Sequence, residues 1–188
     1  MDTSYEIVAA EMLNIRNGDI GVEEVRAWSS FLQKGDDFLD LGCAHGLPIG
    51  VLFKNRGLNI HAIDSSPTLL REYEKNLPEA ETVCESVVNS QFFNKQFDGI
   101  LASGLLFLLT GEDQETTLSK ACEHLKPGGQ LLFTSPWQVC KWDDLLTGRE
   151  SISLGGDRYR EILLQHGVEV KNEFADGGGN YYYAAVRS

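Results

Sequence analysis

Strand-like and helix-like segments alternate through this 188-residue chain, and that order restricts the possible folds more than any other feature. Residues 38–41, 59–63 and 97–102 are short segments typical of buried strands. Residues 22–33 and 113–125 place apolar side chains at helical spacing. Because strands separated by helices pair in parallel, the order predicts an α/β fold built on an open sheet.

The last third of the chain predicts a different connection. Strand-like segments at about 168–174 and 181–186 are separated by the turn-forming residues 176–180. A connection this short joins antiparallel strands. Residues 136–156 have no strong period and predict a surface loop or an irregular helical excursion. Further strands are predicted at about 82–84 and 130–134.

The length predicts one domain, large enough to bury a core without disulfide or metal staples. We expect N-terminal helices over residues 1–36, a ligand-binding core over 37–135, and a loop, a helix and a hairpin over 136–188. No CxxC pair occurs, so reduced thiols are expected at all four cysteines. These are Cys43, Cys84, Cys122 and Cys140.

The charge and hydropathy patterns argue against several partners. The net charge is −12, and no three basic residues are consecutive, whereas a nucleic-acid surface needs clustered Lys and Arg. No apolar run approaches the roughly 20 residues of a membrane span, and the start of the chain lacks the plan of a signal peptide. We predict a cytoplasmic protein with no nucleic-acid partner, no membrane partner and no metal site.

The strongest ligand signal is Asp40-Leu41-Gly42-Cys43-Ala44-His45-Gly46, between the first strand and the next helix. Glycine lets the chain turn sharply there and lets a ligand touch the backbone. The second strand ends at Asp64, 18 residues after Gly46. A carboxylate at this place can accept hydrogen bonds from both hydroxyls of a ribose. The combination predicts a site for an adenosine-containing cofactor.

Spacing and charge distinguish between two such cofactors. Gly42, Gly46 and Gly50 recur every four residues, which differs from the Gly-x-Gly-x-x-Gly of dinucleotide sites. Asp40 would repel a pyrophosphate, whereas it can hold the ammonium of an amino-acid cofactor. The charge therefore favours S-adenosylmethionine over NAD.

From about residue 20 to 188, the chain resembles the class I S-adenosylmethionine-dependent methyltransferases. Four segments carry the resemblance, in the family's order: 38–46, 63–67, 97–107 and 125–129. The resemblance implies a doubly wound, Rossmann-like sheet of seven strands, mostly parallel with an antiparallel last strand, preceded by N-terminal helices. It also implies methyl transfer, and the chain is most similar to the bacterial small-molecule-type methyltransferase domains.

The resemblance also assigns a cofactor site. Asp64 would hold the ribose, Glu85 would face the adenine amino group, and Ser103 would lie beside the methionine and the substrate entrance. Ala44 replaces the middle glycine of the first motif, which is tolerable if its φ is negative. The cofactor-binding residues carried over by position are Asp40, Gly42, Cys43, Gly46, Asp64, Ser65, Glu85, Ser86 and Ser103.

Candidates for catalysis and acceptor binding are fewer. His45 is the one proposed base, and a loop-stabilising hydrogen bond is the alternative role for it. Trp137 and Tyr181 are candidate substrate contacts, because aromatic side chains near that rim can enclose a small acceptor. Packing in the core or the hairpin is the alternative for both. Since the sulfonium is already activated, transfer needs mainly alignment with a nucleophile.

Other functions remain open from the sequence. A non-catalytic S-adenosylmethionine-binding or regulatory protein would keep the same fold, and an NAD-linked oxidoreductase is disfavoured by Asp40 and the loop spacing. The chain lacks the Asn-Pro-Pro-Tyr string and the Pro-Cys pair of nucleic-acid methyltransferases after its fourth strand. We therefore predict a small-molecule acceptor, and a monomer or homodimer suits a domain of this size.

Overall fold

A computed structural model describes residues 4–10, 13 and 20–188. The helices are α1 (Ser4–Ile7), α2 (Val22–Trp28), α3 (Ile49–Arg56), α4 (Pro67–Asn76), α5 (Gly111–Glu123) and α6 (Gly156–Gln165). The strands are β1 (Asp37–Leu41), β2 (Asn59–Asp64), β3 (Glu81–Cys84), β4 (Phe97–Ala102), β5 (Leu125–Thr134), β6 (Val139–Asp143), β7 (Glu150–Leu154), β8 (Val168–Ala175) and β9 (Tyr181–Arg187).

Seven of these strands form one sheet in the order β3-β2-β1-β4-β5-β9-β8. Strand β1 pairs in parallel with both β2 and β4, whereas β9 runs antiparallel to β5 and β8. The predicted α/β fold, mostly parallel with an antiparallel last strand, is confirmed. The strand order reverses between β1 and β4, and open sheets of this kind bind ligands in the crevice outside the carboxyl ends of those strands.

Both faces of the sheet are covered, as a parallel sheet requires. Alternation along β1 sends Phe38 to one face, where its ring lies 3.9 Å from that of Phe53 on α3. Leu39 and Leu41 belong to the core of the other face, together with Leu118 of α5. These side chains are buried, and their packing on both faces holds β1 in place and so positions the loop that follows it.

Helix α4 begins with a serine N-cap followed by proline, a pair that is visible in the sequence. Ser66 is its N-cap, and the Ser66 Oγ accepts a hydrogen bond from the Leu69 amide at 3.1 Å. Pro67 follows at the first helical position, where its missing N–H costs nothing. Because β2 ends two residues earlier at Asp64, this cap places the helix start beside the crevice.

The prediction of a loop or irregular helix over residues 136–156 is wrong, because β6 and β7 pair there as an antiparallel hairpin. The inward positions of β7 are Ser151 and Ser153, which are buried polar residues. The alternation of polar and apolar residues along β7 is therefore reversed relative to burial, with Ile152 and Leu154 at the less buried positions. On β6, Trp142 provides the apolar contact, with its ring 5.5 Å from that of Phe107.

The N-terminal helices predicted over residues 1–36 are described only in part. Residues 4–7 are helical as α1, and Ala9 is buried against Ala44 and Leu69. Residues 11–12 and 14–19 lie outside the described part of the chain. Within that part, none of the helices has the length and apolar character needed to cross a bilayer.

Candidate functional site

Two adjoining cavities lie at the carboxyl ends of β1, β2, β4 and β5. The larger cavity has a volume of about 350 Å³ and the smaller one about 170 Å³. Gly42, Gly104 and Leu108 line both, so the cavities share a wall. A combined space of this size is in the range of small-molecule sites.

The loop after β1 forms the floor shared by both cavities. The amides of Gly42 and Cys43 both donate to the Ile63 carbonyl, at 2.9 and 3.2 Å. Gly46 has φ +78°, and a Cβ there would lie 2.5 Å from Leu77 Cδ1 and 2.8 Å from Tyr73 Cδ2. Only glycine both adopts this positive φ without strain and leaves room for the side chains of Leu77 and Tyr73. The turn and the tight packing therefore each require glycine at position 46.

Ala44 departs from the expectation of a negative φ, because its φ is +50°. The left-handed region costs a non-glycine residue about 1 to 2 kcal/mol. The Ala44 amide donates to Asp64 Oδ2 at 2.8 Å, which holds this conformation. The methyl group is buried against Ala9 and Leu69, so packing offsets part of the backbone cost.

Asp64 ties the end of β2 to the loop after β1. Its Oδ2 accepts from the Ala44 amide and its Oδ1 from the Ser66 amide, each at 2.8 Å. The residue is 8% exposed and lines the smaller cavity. A carboxylate offers about four acceptor positions, so fixing it through two amides is compatible with a further hydrogen bond to a ribose.

The structure brings most of the predicted cofactor residues to the two cavities. Glu85 lies outside both linings, where its carboxylate interacts with Lys120 and favours the charged form of that lysine, although burial lowers the lysine's pKa overall. Val87 and Val88 line the smaller cavity in its place. The larger cavity contains Asp40, Gly42, Cys43, Gly46 and Ser103, and the smaller contains Gly42, Asp64, Ser65 and Ser86.

His45 does not line either cavity. The residue is 4% exposed, and its backbone carbonyl accepts a hydrogen bond from Asn76 Nδ2 at 2.9 Å. That bond joins the loop to the end of α4. The burial supports the loop-stabilising role of His45 over a role as base.

Trp137 and Tyr181 also lie outside both linings. Trp137 is 58% exposed. The Tyr181 hydroxyl donates to Glu173 Oε2 at 2.8 Å, and its ring packs on the side of the sheet that holds Tyr183. The structure therefore does not bring either side chain to the crevice.

The aromatic residue of β9 that lines the larger cavity is Tyr182, whereas the sequence pattern predicted its neighbour Tyr181. Its hydroxyl donates to Asp176 Oδ2 at 2.9 Å, and its ring stacks on Phe174 at 5.1 Å. Side chains alternate along a strand, so a shift of one residue changes the face. The alternation along β9 shows that Tyr181 and Tyr182 lie on opposite faces of the sheet. Which of the two faces borders the crevice depends on the pairing of β9 with β5.

The hairpin β6–β7 adds residues that no motif indicated. Its turn places Asp144 and Leu146 in the lining of the larger cavity. Asp144 Oδ1 accepts from the amide and from the hydroxyl of Thr147, both at 2.7 Å. These bonds fix the turn, and with it the carboxylate, at the mouth of the cavity.

A buried polar network holds the hairpin against the sheet. The Tyr159 hydroxyl donates to Gln114 Oε1 at 2.7 Å and accepts from the Leu154 amide at 3.0 Å. Gln114 Nε2 in turn donates to the carbonyls of Leu109 and Ile152. The network connects α5, α6 and β7, so the hairpin's position follows from buried hydrogen bonds.

Among the described residues, the charged side chains that line the site are all acidic. Asp40 and Asp144 line the larger cavity, and Asp64 and Asp113 line the smaller one. Within the described residues, neither lining includes Lys, Arg or His. Burial and the nearby Asp40 raise the pKa of Tyr73, so its phenol stays neutral beneath the loop. In the described part of the chain, no group of three His, Cys, Asp or Glu side chains could hold a metal.

Comparisons with known proteins agree on the fold. Residues 38–129 match the methyltransferase domain family. A curated relative, carboxy-S-adenosyl-L-methionine synthase of Desulforapulum autotrophicum, is 30% identical over 113 residues, which are 55% of this chain and 44% of that protein. The matched part thus spans less than half the length of the curated relatives.

Solved structures match over nearly the whole chain. The 1,6-didemethyltoxoflavin-N1-methyltransferase of Burkholderia thailandensis, with 1,6-didemethyltoxoflavin and S-adenosylhomocysteine bound, has a TM-score of 0.75 at 16% identity, covering 99% of this chain and 85% of that one. A TehB-like SAM-dependent methyltransferase of Corynebacterium glutamicum has a TM-score of 0.71 at 20% identity, covering 98% and 96%.

Proposed function

Because the chain carries a class I S-adenosylmethionine-dependent methyltransferase domain, we propose that it transfers the methyl group of this cofactor to a small-molecule acceptor. Residues 1–188 are proposed to form one such domain. The observation that carries the proposal is the position of Asp40 and Asp64, two buried carboxylates that line adjoining cavities at the ends of paired strands.

The two cavities suit the two halves of the cofactor. Ser65 and Ser86 would lie beside the adenine in the smaller cavity, and Asp64 would accept from the ribose hydroxyls. Asp40, 6% exposed in the larger cavity, would hold the ammonium of the methionine half. The ammonium would pair with this carboxylate. A pyrophosphate in this place would instead bring like charges together.

The chain's own contribution to transfer is alignment. When bound, S-adenosylmethionine supplies a methyl group already activated on a sulfonium. The Gly104 amide donates to Thr134 Oγ1 at 2.7 Å, which fixes the chain after β4 against the end of β5. Ser103 and Gly104 therefore form a rigid wall of the larger cavity, against which an acceptor can be held in line with the methyl group.

No histidine lines the described part of either cavity, so the proposed nucleophile is an acceptor atom with a free lone pair, and any proton that it loses on methylation passes to solvent. A role of His45 as base, and substrate contacts by Trp137 and Tyr181, stay predictions from the sequence. The geometry favours Tyr182, Phe107 and Asp144 as the residues nearest an acceptor. The cytoplasmic location and the monomeric or homodimeric state also stay predictions.

A second candidate follows from the curated relative, whose name describes the synthesis of a carboxylated S-adenosylmethionine. That product carries one more negative charge near the sulfonium. In the described linings the charged side chains are Asp40, Asp144, Asp64 and Asp113, which would repel it. The site therefore favours the methyl-transfer reaction. The mouth of the larger cavity, which the proposed cofactor position does not use, likewise favours an enzyme over a non-catalytic cofactor-binding protein.

Thermal unfolding with S-adenosylhomocysteine, carboxy-S-adenosylmethionine, NAD and ATP tests the cofactor assignment. A ligand at 100 times its Kd stabilises the folded state by about 2.7 kcal/mol, so S-adenosylhomocysteine should raise the Tm by several degrees. Asp64→Asn should remove most of that rise. A larger rise with carboxy-S-adenosylmethionine would support the second candidate, and a rise with NAD alone would contradict both.

A further inference from the structure

The mouth of the larger cavity is formed by residues that the proposed cofactor position does not use. Asp144 and Leu146 come from the turn of the hairpin, and Asn180 and Tyr182 from the start of β9. Asp144 is half-buried, and its Oδ1 is held by the amide and hydroxyl of Thr147. Its carboxylate is therefore a fixed negative charge at the acceptor end of the site.

The orientation of the Asn180 amide is also fixed. Asn180 Nδ2 donates to Asp176 Oδ2 at 2.8 Å, and the Asn180 backbone amide donates to Asp176 Oδ1 at 2.9 Å. Although Asp176 is buried, which opposes ionisation, hydrogen bonds from Asn180 and Tyr182 lower its pKa. Because the NH₂ end faces Asp176, the acceptor oxygen of the Asn180 side chain faces the other way.

The rest of this mouth is apolar. Phe107, Leu108 and Leu146 line the larger cavity beside Asp144. Among the described residues of the lining there is no lysine, arginine or histidine to pair with an anionic acceptor. A carboxylate or phosphate on the acceptor would thus be desolvated next to Asp144 without a partner among the described lining residues, which is strongly unfavourable.

From these three observations we infer that the acceptor is an organic cation, an ammonium group on an apolar or aromatic body. Asp144 pairs with its charge, the Asn180 side-chain oxygen accepts one of its hydrogen bonds, and Phe107 with Leu146 contacts its body. The ammonium has no lone pair, so it is the group that is recognised, and the methyl group goes to another atom of the acceptor that has one. Asp144 is thus a specificity-determining residue for the acceptor. This inference rests on the proposed function, since it takes the larger cavity as the acceptor site.

Two probes of similar size and opposite charge test it. The affinities of phenylethylammonium and 3-phenylpropionate are measured by calorimetry on the protein saturated with S-adenosylhomocysteine. We expect the cation to bind at least about tenfold more tightly, as for a charge-assisted hydrogen bond in a partly buried site. Equal affinities, or tighter binding of the anion, would overturn the inference.

Two neighbouring aspartates give a matched pair of variants. Asp144→Asn keeps an oxygen for Thr147 but removes the charge, and it should lower the affinity for phenylethylammonium about tenfold. Asp143→Asn removes the same charge from an exposed residue outside the lining and should change the affinity less than about twofold. Equal effects of the two variants would show that only the net charge matters and would overturn the assignment of Asp144.

Titration of S-adenosylhomocysteine into the same samples separates this inference from the proposed function. If wild type and Asp144→Asn bind S-adenosylhomocysteine equally and only the variant loses the cation preference, both proposals are supported. If S-adenosylhomocysteine binds but no cation preference exists, the acceptor class alone is wrong. If S-adenosylhomocysteine does not bind, the cofactor assignment fails, and with it the reading of the cavity as an acceptor site.

Discussion

Gly46 and Gly128 have the same left-handed backbone but different surroundings, which makes them a matched pair for substitution. Both have φ +78°, and a Cβ on Gly128 would meet nothing within 4 Å, whereas one on Gly46 would clash with Leu77 and Tyr73. We expect Gly128→Ala to lower the free energy of unfolding by about 1 kcal/mol, the cost of φ alone. Gly46→Ala should cost about 2 to 4 kcal/mol, because overpacking is added.

Urea denaturation of the two variants measures this difference directly. Equal costs would mean that the loop shifts to relieve the clash, and that Gly46 is required only for its φ. Binding of S-adenosylhomocysteine gives a second readout, since Gly46 lines the larger cavity and Gly128 does not. We therefore expect weakened binding only in Gly46→Ala.

At the scale of single residues, the sequence predicted the site where a motif fixes the backbone. Asp40, Gly42 and Asp64 were predicted because a strand end, a sharp turn and a carboxylate occur there together, and all three line the cavities. Tyr182 and Asp144, which also line the larger cavity, were not predicted, for different reasons. The choice between Tyr181 and Tyr182 depends on which face of β9 borders the crevice, and that parity is set by pairing with β5. Asp144 lies in a turn that no motif marks.

Among the elements, the hairpin β6–β7 depends on a hydrogen-bond network that a conservative substitution can test. Tyr159→Phe removes a hydroxyl that donates to Gln114 and accepts from the Leu154 amide. Two buried groups would then lack a partner, so we expect a loss of about 1 to 3 kcal/mol in the free energy of unfolding. Affinity for phenylethylammonium should also fall, because the hairpin carries Asp144.

Tyr183→Phe is the control for this change. Tyr183 is as fully buried as Tyr159, its ring is 5.5 Å away, and no hydrogen-bond partner of its hydroxyl occurs among the described residues. Removing that hydroxyl should therefore be neutral or slightly stabilising. If the two variants lose the same stability, then ring packing, and not the network, holds the hairpin.

The start of β1 gives a pH dependence of stability. Burial of Asp37 opposes ionisation, but hydrogen bonds from Lys95, Lys126 and Asn59 outweigh it and lower the pKa from 3.8 to about 2. The folded state therefore binds a proton less readily than the unfolded state. The contribution of about 2 kcal/mol is present above pH 4 and is lost as the pH falls from about 4 to 2.

Urea titrations of wild type and Asp37→Asn between pH 7 and pH 2 check this dependence. The variant should be less stable at pH 7, and the difference between the two proteins should shrink below about pH 4. A difference that stays constant down to pH 2 would show that the Asp37 pairs do not depend on its ionisation.

The elements were predictable wherever burial on two faces produced an apolar run. Strands β1, β2 and β4 are of this kind, and their side chains fill both cores. The hairpin β6–β7 was not predictable, because Ser151 and Ser153 occupy its buried positions. Polar residues there reverse the usual hydropathy pattern. Ser153 Oγ donates to the Pro136 carbonyl at 2.6 Å and lies 3.3 Å from the Tyr159 hydroxyl, and these partners become apparent only in the fold.

On the scale of the whole molecule, the net charge of the protein and the charge of the described cavity linings are both negative. The net charge of −12 attracts cations to the surface and repels anions, and the cavity linings continue that preference inward. S-adenosylmethionine carries a sulfonium and an ammonium, so an acidic protein suits it. An organic cation as acceptor would gain from the same field, which links the further inference to a bulk property of the chain.

Salt should therefore change stability and acceptor binding in opposite directions. Raising NaCl from about 10 to about 200 mM at pH 7.5 screens the self-repulsion and should increase the free energy of unfolding by about 1 kcal/mol. The same salt should weaken the binding of phenylethylammonium several-fold. Surface ion pairs such as Arg160 with Glu173 are screened as well, but exposed pairs contribute too little to reverse the net effect.

The control is the same titration near pH 4.7, the isoelectric point, where the net charge vanishes. There the dependence of stability on NaCl should disappear, because no net self-repulsion remains to be screened. Urea denaturation at several salt concentrations and both pH values measures this. If salt stabilises equally at both pH values, the effect comes from excluded-solute behaviour of the salt, and the acidic excess does not limit stability.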